Sequence, residues 1–360
     1  MAEHLLDKEI LSADDVLLVP KYGKLRSRSH AKLRPFIFSA PMDTVTGPKL
    51  AAAMRSIGEI PVVSRFKSEV IPQKEFDESM DQYLIDTDGD FDVFWAVGGD
   101  VEDINEFFAR RDRLGCKEKV SVAIDIAHGH SITGHQALVH IKKSKRAFNV
   151  MCGSICTDAA ALAAIGLGAT HLRVGIGSGS VCTTRNITGC GFVQLSAIYK
   201  IYRCLELNDL IDDVTIIADG GIRQPGDAVK YLAAGAHSIM LGRGLSQTDE
   251  SAGWFIKDRF KNITAYDMRE KSYRGQASYD FQKDVLNRDA ACPEGVALSP
   301  FKPNTTVQKV IEMYRGGVSS AISYLGLGTI DDFGPDAVEF IKVTTAGYIE
   351  GTPHGQNRNN

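Results

Sequence analysis

The sequence His171-Leu-Arg-Val-Gly-Ile-Gly-Ser-Gly-Ser-Val-Cys-Thr-Thr-Arg185 joins a short strand-like run to a glycine-rich loop that contains one cysteine. Glycines at alternate positions permit positive φ angles and let the backbone approach a ligand closely, and successive N–H groups in such a loop can hold an anion. The thiolate is the nucleophilic form of cysteine, so hydrogen-bond donors in this loop would activate Cys182. An unpaired cysteine is more often a small buried hydrophobic residue. Here the neighbouring glycines and hydroxyls favour the nucleophile.

The same pattern of an apolar run, a polar or glycine-containing turn and a helical segment recurs along the chain, which predicts alternating strands and helices. Eight strands are predicted: Phe36–Ala40, Ile60–Ser64, Val93–Val97, Val120–Ile124, Phe148–Cys152, His171–Val174, Thr215–Ala218 and Ser238–Leu241. The predicted helices between them include Pro48–Ile57, Val101–Leu114, Asp158–Leu167, Val193–Leu207 and Pro225–Ala234. Eight such α/β units close most simply into a single-domain (β/α)₈ barrel, with an open doubly wound sheet as the alternative.

In a barrel of this kind, functional residues gather at the carboxyl ends of the strands. Polar and glycine-rich segments do follow the predicted strands, at residues 39–43, 125–130, 153–154, 175–185, 219–221 and 242–244. The last two read Asp-Gly-Gly and Gly-Arg-Gly, which favours a phosphate site after the seventh and eighth strands. Asp219 would then accept hydrogen bonds from ribose hydroxyls. A tight turn is the alternative explanation for Asp-Gly-Gly by itself.

Composition narrows the class of protein. The chain has 360 residues, of which 44% are hydrophobic and 24% charged, and a formal net charge of -4. These values are typical of a globular domain and give no reason to expect nucleic acid or an anionic membrane as a partner. No run approaches the roughly 18 apolar residues of a spanning helix, and the first ten residues are too charged for a secretory signal. Seven scattered cysteines without paired spacing indicate reduced thiols and a cytoplasmic protein.

These motifs together resemble the IMP dehydrogenase and GMP reductase family of purine nucleotide oxidoreductases. The resemblance covers nearly the whole chain and is carried by residues 13–20, 40–45, 124–131, 175–185, 217–223, 273–275, 293–295 and 328–331. It implies that Cys182 attacks C2 of the purine and forms a covalent thioimidate, while a hydride passes between C2 and a nicotinamide cofactor. Thr184 and Glu294 would assist proton transfer at the base.

The resemblance also implies the binding residues. The nucleotide would contact Ser180, Asp219, Gly220, Gly221, Gly242, Arg243, Tyr273, Gly275, Gln276 and Gly295. The cofactor would contact Asp125, Ile126, Ala127, Ser154, Gly175, Ile176 and Gly177. A monovalent cation, K⁺ in the family, would bind the backbone carbonyls of Gly177, Gly179 and Cys182. A homotetramer, a mobile flap at about residues 273–295 and a disordered tail at residues 355–360 are further expectations.

Departures from the family pattern bear on the direction of the reaction. Only residues 67–91 separate the second strand from the third, so the pair of CBS modules that dehydrogenases usually insert there is absent. Reductases lack it as a rule, and some dehydrogenases do too. Residues 217–223 and 328–331 nevertheless read closer to bacterial dehydrogenases.

The flap lacks the residues that activate water in a dehydrogenase, and two further substitutions fall near expected ligand contacts. Tyr279-Asp280 stands where a dehydrogenase has the Arg-Tyr pair that activates water, Ser178 replaces the usual proline, and Ser154 replaces an asparagine. The sequence therefore predicts a GMP reductase that converts GMP to IMP and ammonia with NADPH. The alternatives are an IMP dehydrogenase that uses NAD, a related enzyme for a modified or deoxy purine nucleotide, and a nucleotide-binding sensor without turnover.

Overall fold

The computed structural model describes residues 4–66, 73–256 and 269–351, and the tail expected to be disordered lies outside the described residues. Its strands are β1 (Val16–Leu18), β2 (Ile37–Ser39), β3 (Val62–Val63), β4 (Phe94–Val97), β5 (Val120–Asp125), β6 (Ala147–Ile155), β7 (His171–Val174), β8 (Thr215–Asp219), β9 (Ser238–Leu241), β10 (Trp254–Ile256), β11 (Arg269–Lys271) and β12 (Phe340–Lys342). Strands β2 to β9 form one parallel sheet of eight.

The eight strands curl round until the first meets the last. Ile37 to Ser39 pair with Ile239 to Leu241 of β9, and on the other side the Ser39 N–H donates to the Ile60 carbonyl at 3.1 Å. The Ile60 N–H donates to the Ile37 carbonyl, also at 3.1 Å. These bonds link β2 to the approach of β3, so the sheet is a (β/α)₈ barrel and the open-sheet alternative is excluded.

The helices surround the barrel. They are α1 (Leu5–Lys8), α2 (Pro48–Ser56), α3 (Gln73–Asp86), α4 (Val101–Arg113), α5 (Ile132–Ser144), α6 (Asp158–Gly166), α7 (Thr184–Thr188), α8 (Gln194–Leu207), α9 (Pro225–Ala233), α10 (Arg243–Ser246), α11 (Tyr279–Asp284), α12 (Val307–Tyr324) and α13 (Thr345–Glu350). Helix α12 packs against both α9 and α2 and completes the outer ring. Across the described ranges, no helix combines the length and apolar character needed to cross a bilayer.

Local chemistry explains why the predicted helices begin where they do. The Thr157 hydroxyl accepts the Ala160 N–H at the start of α6, and Pro225 occupies the first turn of α9, where its missing N–H has no cost. Most strand and helix bounds agree with the prediction to within one or two residues. The largest difference is β6, which runs from Ala147 to Ile155 because it pairs with neighbours on both sides and carries two register shifts.

Alternation along each strand divides the core into two parts. One set of side chains fills the barrel interior: Phe38, Ala40, Val62, Phe94, Ala123, Met151, Ile217 and Met240. Neighbouring positions such as Leu172 and Ile216 face outward and pack under the helices. Because successive strand residues point to opposite faces, this arrangement keeps the interior filled and leaves only the strand ends available for a site.

Two histidines lie near the amino ends of the strands, at the end of the barrel away from the polar loops. His171 contacts the rings of Phe38 and Phe94 edge-on, and with His237 it borders a cavity of about 360 Å³. Burial, followed by the charge of His237, lowers the pKa of His171 to about 4. Burial, followed by the charge of Arg34, lowers the pKa of His237 to about 4. Both rings are therefore neutral in the folded protein at pH 7.

We expect these histidines to make the protein less stable in mild acid. The unfolded chain binds their protons near pH 6.5 and the folded chain only near pH 4, so stability falls as the pH drops through that window. Urea unfolding at pH 7 and pH 5 should show that His171→Gln loses less free energy of unfolding on acidification than the parent, by about 1–2 kcal/mol. The exposed His30 provides the control, His30→Gln. Equal pH dependence in both variants would contradict this explanation.

Candidate active site

Cys182 lies in the loop that follows β7, at the carboxyl end of the barrel, and its side chain is partly exposed. Its Sγ is 3.2 Å from the Thr184 Oγ1, and its N–H donates to the Gly179 carbonyl at 3.1 Å. None of the seven cysteines forms a disulfide. Cys152, in contrast, is buried in β6, and burial raises the pKa of its thiol to about 12. Cys182 thus has the accessibility that a nucleophile needs, and Cys152 has not.

The flap segment pairs directly with the nucleophile loop. The Thr183 N–H donates to the Glu294 carbonyl at 2.9 Å, and the Val296 N–H donates to the Val181 carbonyl at 2.9 Å. Cys182 and Gly295 are consequently partners in an antiparallel bridge. Residues more than a hundred positions apart in sequence therefore meet, and the backbone of Glu294 lies beside the nucleophile loop.

Glycines allow the nucleophile loop to pack against the loop after β8. A Cβ on Gly175 would lie 2.0 Å from the Asp219 carbonyl oxygen, and Gly175 has a φ of +154°. A Cβ on Gly220, with φ +88°, would lie 2.4 Å from the Ser178 Oγ. The Ser178 hydroxyl donates to the Asp219 carbonyl at 2.8 Å. Ser178 stands where the family usually has proline, and in place of the proline ring it provides a hydrogen bond between the two loops.

Several predicted phosphate contacts meet on one side of this loop. The Ser180 Oγ is 3.5 Å from the Tyr273 hydroxyl, and a Cβ on Gly242 would lie 3.0 Å from that same hydroxyl. Burial raises the pKa of Tyr273 to about 12, so it remains a donor at neutral pH. Arg243 is exposed at the start of α10. Gly221 instead faces Tyr231, whose hydroxyl would lie 2.6 Å from a Cβ at that glycine.

The predicted cofactor residues come from the ends of β5, β6 and β7. The Ser154 N–H donates to the Ile126 carbonyl at 2.9 Å, and the Gly175 N–H donates to the Ile155 carbonyl at 2.8 Å. Ala127 is exposed beside them, and Asp125 is largely buried. The three strand ends therefore form one continuous rim next to the nucleophile loop.

Sequence reasoning missed Arg173, which connects the two predicted carboxylates. Its Nη1 is 2.6 Å from Asp125 Oδ1, and its Nε is 2.6 Å from Asp219 Oδ2. Burial alone would lower the pKa of this guanidinium, but the two carboxylates outweigh burial and raise it. Gln276 of the flap donates to the other oxygen of Asp125 at 3.0 Å. A charged residue within the apolar run His171–Val174 was the signal that could have identified Arg173.

Sequence reasoning also missed Arg185, whose side chain stabilises the nucleophile loop through backbone carbonyls. Its guanidinium donates to the Ile176 carbonyl at 3.3 Å and to the Phe192 carbonyl. The side chain passes so close to Gly177 and Gly191 that a Cβ on either would lie within 3 Å of it. Both glycines have positive φ angles. One arginine therefore holds both ends of the segment that carries Cys182.

A buried ion pair anchors the flap to the barrel. The Arg274 Nη2 and Nε lie 2.7 and 3.0 Å from Asp43 Oδ2, and its Nη1 is 3.1 Å from Asp284. Arg274 and Asp43 are both almost fully buried. Burial raises the pKa of Asp43, against the opposing effect of Arg274. The ion pair thus holds the start of the flap, at Arg274, against the barrel.

No trio of His, Cys, Asp or Glu side chains within residues 4–66, 73–256 and 269–351 is arranged to hold a metal ion. What the loop does offer is a thiol, a neighbouring hydroxyl, an adjacent carboxylate residue and a charged cluster at one end of a closed barrel. This combination suits covalent chemistry on a ligand that has both a phosphate and hydroxyl groups.

Comparison with known proteins gives a consistent result. The profile of the IMP dehydrogenase / GMP reductase domain matches residues 10–354. An inosine-5′-monophosphate dehydrogenase of Borreliella burgdorferi is 31% identical, with 97% of this chain and 98% of the relative covered. The enzyme of the same name from Cryptosporidium parvum is 29% identical over 96% of this chain and 94% of its own. That of Nitrosopumilus maritimus is 38% identical, with 72% of this chain and 54% of the relative covered.

We expect Arg274→Met to destabilise the protein by about 3–5 kcal/mol, because it leaves the Asp43 carboxylate buried without its cation. Urea unfolding followed by circular dichroism measures this change. The matched control is Arg288→Met, since Arg288 belongs to the same segment but is exposed. If Arg274→Met were as stable as Arg288→Met, the ion pair would not be the anchor of the flap.

Proposed function

This chain belongs to the IMP dehydrogenase / GMP reductase family and is an NAD(P)-dependent oxidoreductase; from that premise we propose that Cys182 bonds covalently to C2 of a purine 5′-nucleotide. The observation that supports the proposal is the placement of a partly exposed thiol 3.2 Å from the Thr184 hydroxyl, on a loop paired with Glu294 and Gly295. A covalent bond at C2 divides one difficult substitution into two easier steps.

Each of the three residues has a separate task. The Cys182 thiolate adds to the electron-poor C2. The Thr184 hydroxyl is within hydrogen-bond distance of the sulfur, so it can relay the proton that must leave or return there. Glu294, held beside Cys182 by the backbone pairing, would contact the edge of the base and exchange protons with its ring nitrogens. A bound nicotinamide dinucleotide supplies the site to which the hydride of C2 moves, or from which it comes.

The remaining residues would hold the nucleotide. Ser180, Tyr273 and the Gly242 backbone converge and would bind the phosphate, with the exposed Arg243 adding positive charge. Asp219 would accept hydrogen bonds from the ribose, and Gly220 and Gly221 allow its backbone turn. Gly275, Gln276 and Gly295 would border the base, because they lie on the segment paired with the nucleophile loop.

The rim at the ends of β5, β6 and β7 would hold the cofactor. Asp125 would be the acceptor for hydroxyl groups of the dinucleotide, and the backbone of Ile126, Ala127 and Ser154, joined by the Ser154–Ile126 hydrogen bond, would line its binding surface. Gly175, Ile176 and Gly177 continue this surface, with glycine where a side chain would collide. The family implies an NAD-type dinucleotide, and the choice between NAD and NADPH depends on the direction of the reaction.

Monovalent cation binding is compatible with the nucleophile loop. Within the described ranges, the carbonyls of Gly177 and Cys182 accept no hydrogen bond from the chain, and the Gly179 carbonyl accepts one from Cys182. Carbonyl oxygens that are not fully used are the ligands that K⁺ prefers. We propose that these three carbonyls hold K⁺, whose charge would favour the thiolate form of Cys182.

The relatives favour the dehydrogenase direction over the reductase predicted from the sequence. Absence of an insertion after the second strand supported a reductase, yet the Borreliella relative is matched over 98% of its length and carries the dehydrogenase name. The absence of an insertion after the second strand of this chain is therefore compatible with the dehydrogenase direction. We propose IMP oxidation to XMP with NAD as the activity: Cys182 adds to C2, the C2 hydride leaves, and water cleaves the thioimidate to release XMP and the thiol.

A second candidate, GMP reduction with NADPH, is favoured by the flap. Tyr279 and Asp280 begin α11, both are exposed, and Ser278 caps this helix. Arg274, the arginine that precedes them, is committed to Asp43. Without an arginine at positions 279–280, water activation would rely on another base, whereas expulsion of ammonia from C2 of GMP requires no such base.

Two assays decide between these activities. Incubation with IMP and NAD should increase the absorbance of reduced cofactor; incubation with GMP and NADPH should leave it unchanged. A decrease in the second assay alone would make the protein a GMP reductase. Tight nucleotide binding with no change in either assay would support the sensor, and turnover of a deoxy nucleotide alone would support an altered substrate.

Cys182→Ala should lower turnover to below about a thousandth of the parent rate, because no other group can form the bond to C2. Stability should be unchanged, since the loop contacts are made by the backbone. Cys190→Ala is the matched control: Cys190 is exposed and lies eight positions further along the chain. Mass spectrometry of acid-quenched parent protein should show a purine adduct on Cys182. Substantial activity in Cys182→Ala would rule out the covalent mechanism.

A further inference from the structure

Arg173 occupies an unusual position between two binding carboxylates. It projects from β7, reaches Asp219 at the end of neighbouring β8, and reaches Asp125 at the end of β5, two strands away on the other side. The path to Asp125 crosses β6 at Gly153, where a Cβ would lie 2.6 Å from the Arg173 Cβ. The glycine thus opens the route by which one guanidinium spans both carboxylates.

The four carboxylate oxygens of this cluster have different surroundings. The Arg173 guanidinium donates hydrogen bonds to Asp125 Oδ1 and Asp219 Oδ2. The Gln276 side-chain amide donates to Asp125 Oδ2. Asp219 Oδ1 accepts no hydrogen bond from the described part of the chain, and it is not among the buried polar atoms that lack a partner. This oxygen is therefore not completely enclosed by the protein, and a ligand hydroxyl would bind Asp219 there without displacing Arg173.

We propose that Arg173 is a positioning residue that couples the two subsites, so that nucleotide binding raises the affinity for the dinucleotide and the reverse. The proposal rests on the assignment of Asp219 to the nucleotide and Asp125 to the dinucleotide under the proposed function. Arg173 itself touches neither reacting atom. It acts through the two carboxylates that it joins.

The coupling follows from the geometry of the guanidinium. Its donors have fixed directions in one plane, so Arg173 cannot turn toward one carboxylate without weakening its bond to the other. A ribose hydroxyl that fixes Asp219 therefore also fixes the guanidinium and, through it, Asp125. The second ligand then meets a carboxylate that is already ordered, and it loses less entropy on binding. Thermodynamic linkage requires the same factor in both directions.

Charge gives Arg173 a second reason to be needed. The cluster carries two negative charges and one positive charge in a largely buried position. Removal of the cation would leave two carboxylates facing each other across the gap, and like charges disfavour the ionised form of both. Neither carboxylate would then keep its geometry as a hydroxyl acceptor. A lysine would retain the charge but not the two fixed directions.

The experiment measures binding in a Cys182→Ala background, where IMP and NAD cannot react. Calorimetric titration gives the Kd of IMP alone and with saturating NAD, and the Kd of NAD alone and with saturating IMP. We expect each Kd to fall by about fivefold or more when the other ligand is present, by the same factor in both directions. With Arg173→Met added, this factor should fall to about one, and with Arg173→Lys it should lie between the two.

The control is Arg243→Met in the same background. Arg243 is exposed, and within the described ranges it forms no ion pair with Asp125 or Asp219, so its loss should weaken IMP binding without changing the coupling factor. A purely structural defect would alter affinities and unfolding midpoints but not the ratio between the two Kd values.

The outcomes are distinct. A coupling factor near one in Cys182→Ala itself overturns the proposal even if Arg173→Met fails to fold, and so does a factor that Arg173→Met leaves unchanged. If Cys182→Ala binds neither IMP nor GMP, the proposed function fails and the coupling fails with it. Binding of both ligands without mutual effect removes the coupling alone.

Discussion

The close approach of two backbone loops is the constraint on which the site depends. Gly175 brings the chain so near to the end of β8 that any side chain would overlap the Asp219 carbonyl, and Ser178 joins the same carbonyl by a hydrogen bond. Loop closure of this kind fixes Cys182 relative to Asp219 without using either side chain. The functional side chains are therefore left to face the ligand.

The barrel makes this approach possible because it ends all eight strands at one rim. Strands β7 and β8 are neighbours with a fixed register, His171 opposite Thr215 and Val174 opposite Ala218. The loops that leave them have no freedom to diverge. The flap then completes the site from a distant part of the sequence, through backbone pairing to Val181 and Thr183 and through the buried Arg274–Asp43 pair. Rigid parts thus surround a thiol that remains accessible.

The sequence predicted the fold well because hydrophobic periodicity and the residues that end helices and strands are local properties of the chain. The bounds of His171–Val174 and Ser238–Leu241 agree with the structure, and the glycine loop is the feature from which Cys182 is proposed as the nucleophile. The missed residues are arginines: Arg173, Arg185 and Arg274. Arg173 bonds to Asp219, 46 positions away, and Arg274 bonds to Asp43, 231 positions away, so the neighbouring residues do not reveal these partners. The charge of Arg173 within an apolar strand marks the residue as unusual, but its two partners become evident only once the sheet closes.

The direction of reaction is the property least determined by this scaffold. Under the proposed function, the nucleophile loop, the carboxylate cluster and the phosphate contacts would serve a hydride that moves either way, because the covalent bond at C2 would be common to both reactions. What differs is the fate of the thioimidate, which depends on whether a base can direct water at C2. The segment between Gln276 and Glu294 is paired through its backbone with the nucleophile loop, and under the proposed function it would supply that base. A change in that one segment can therefore reverse the chemistry while the barrel, its glycines and its arginines stay the same.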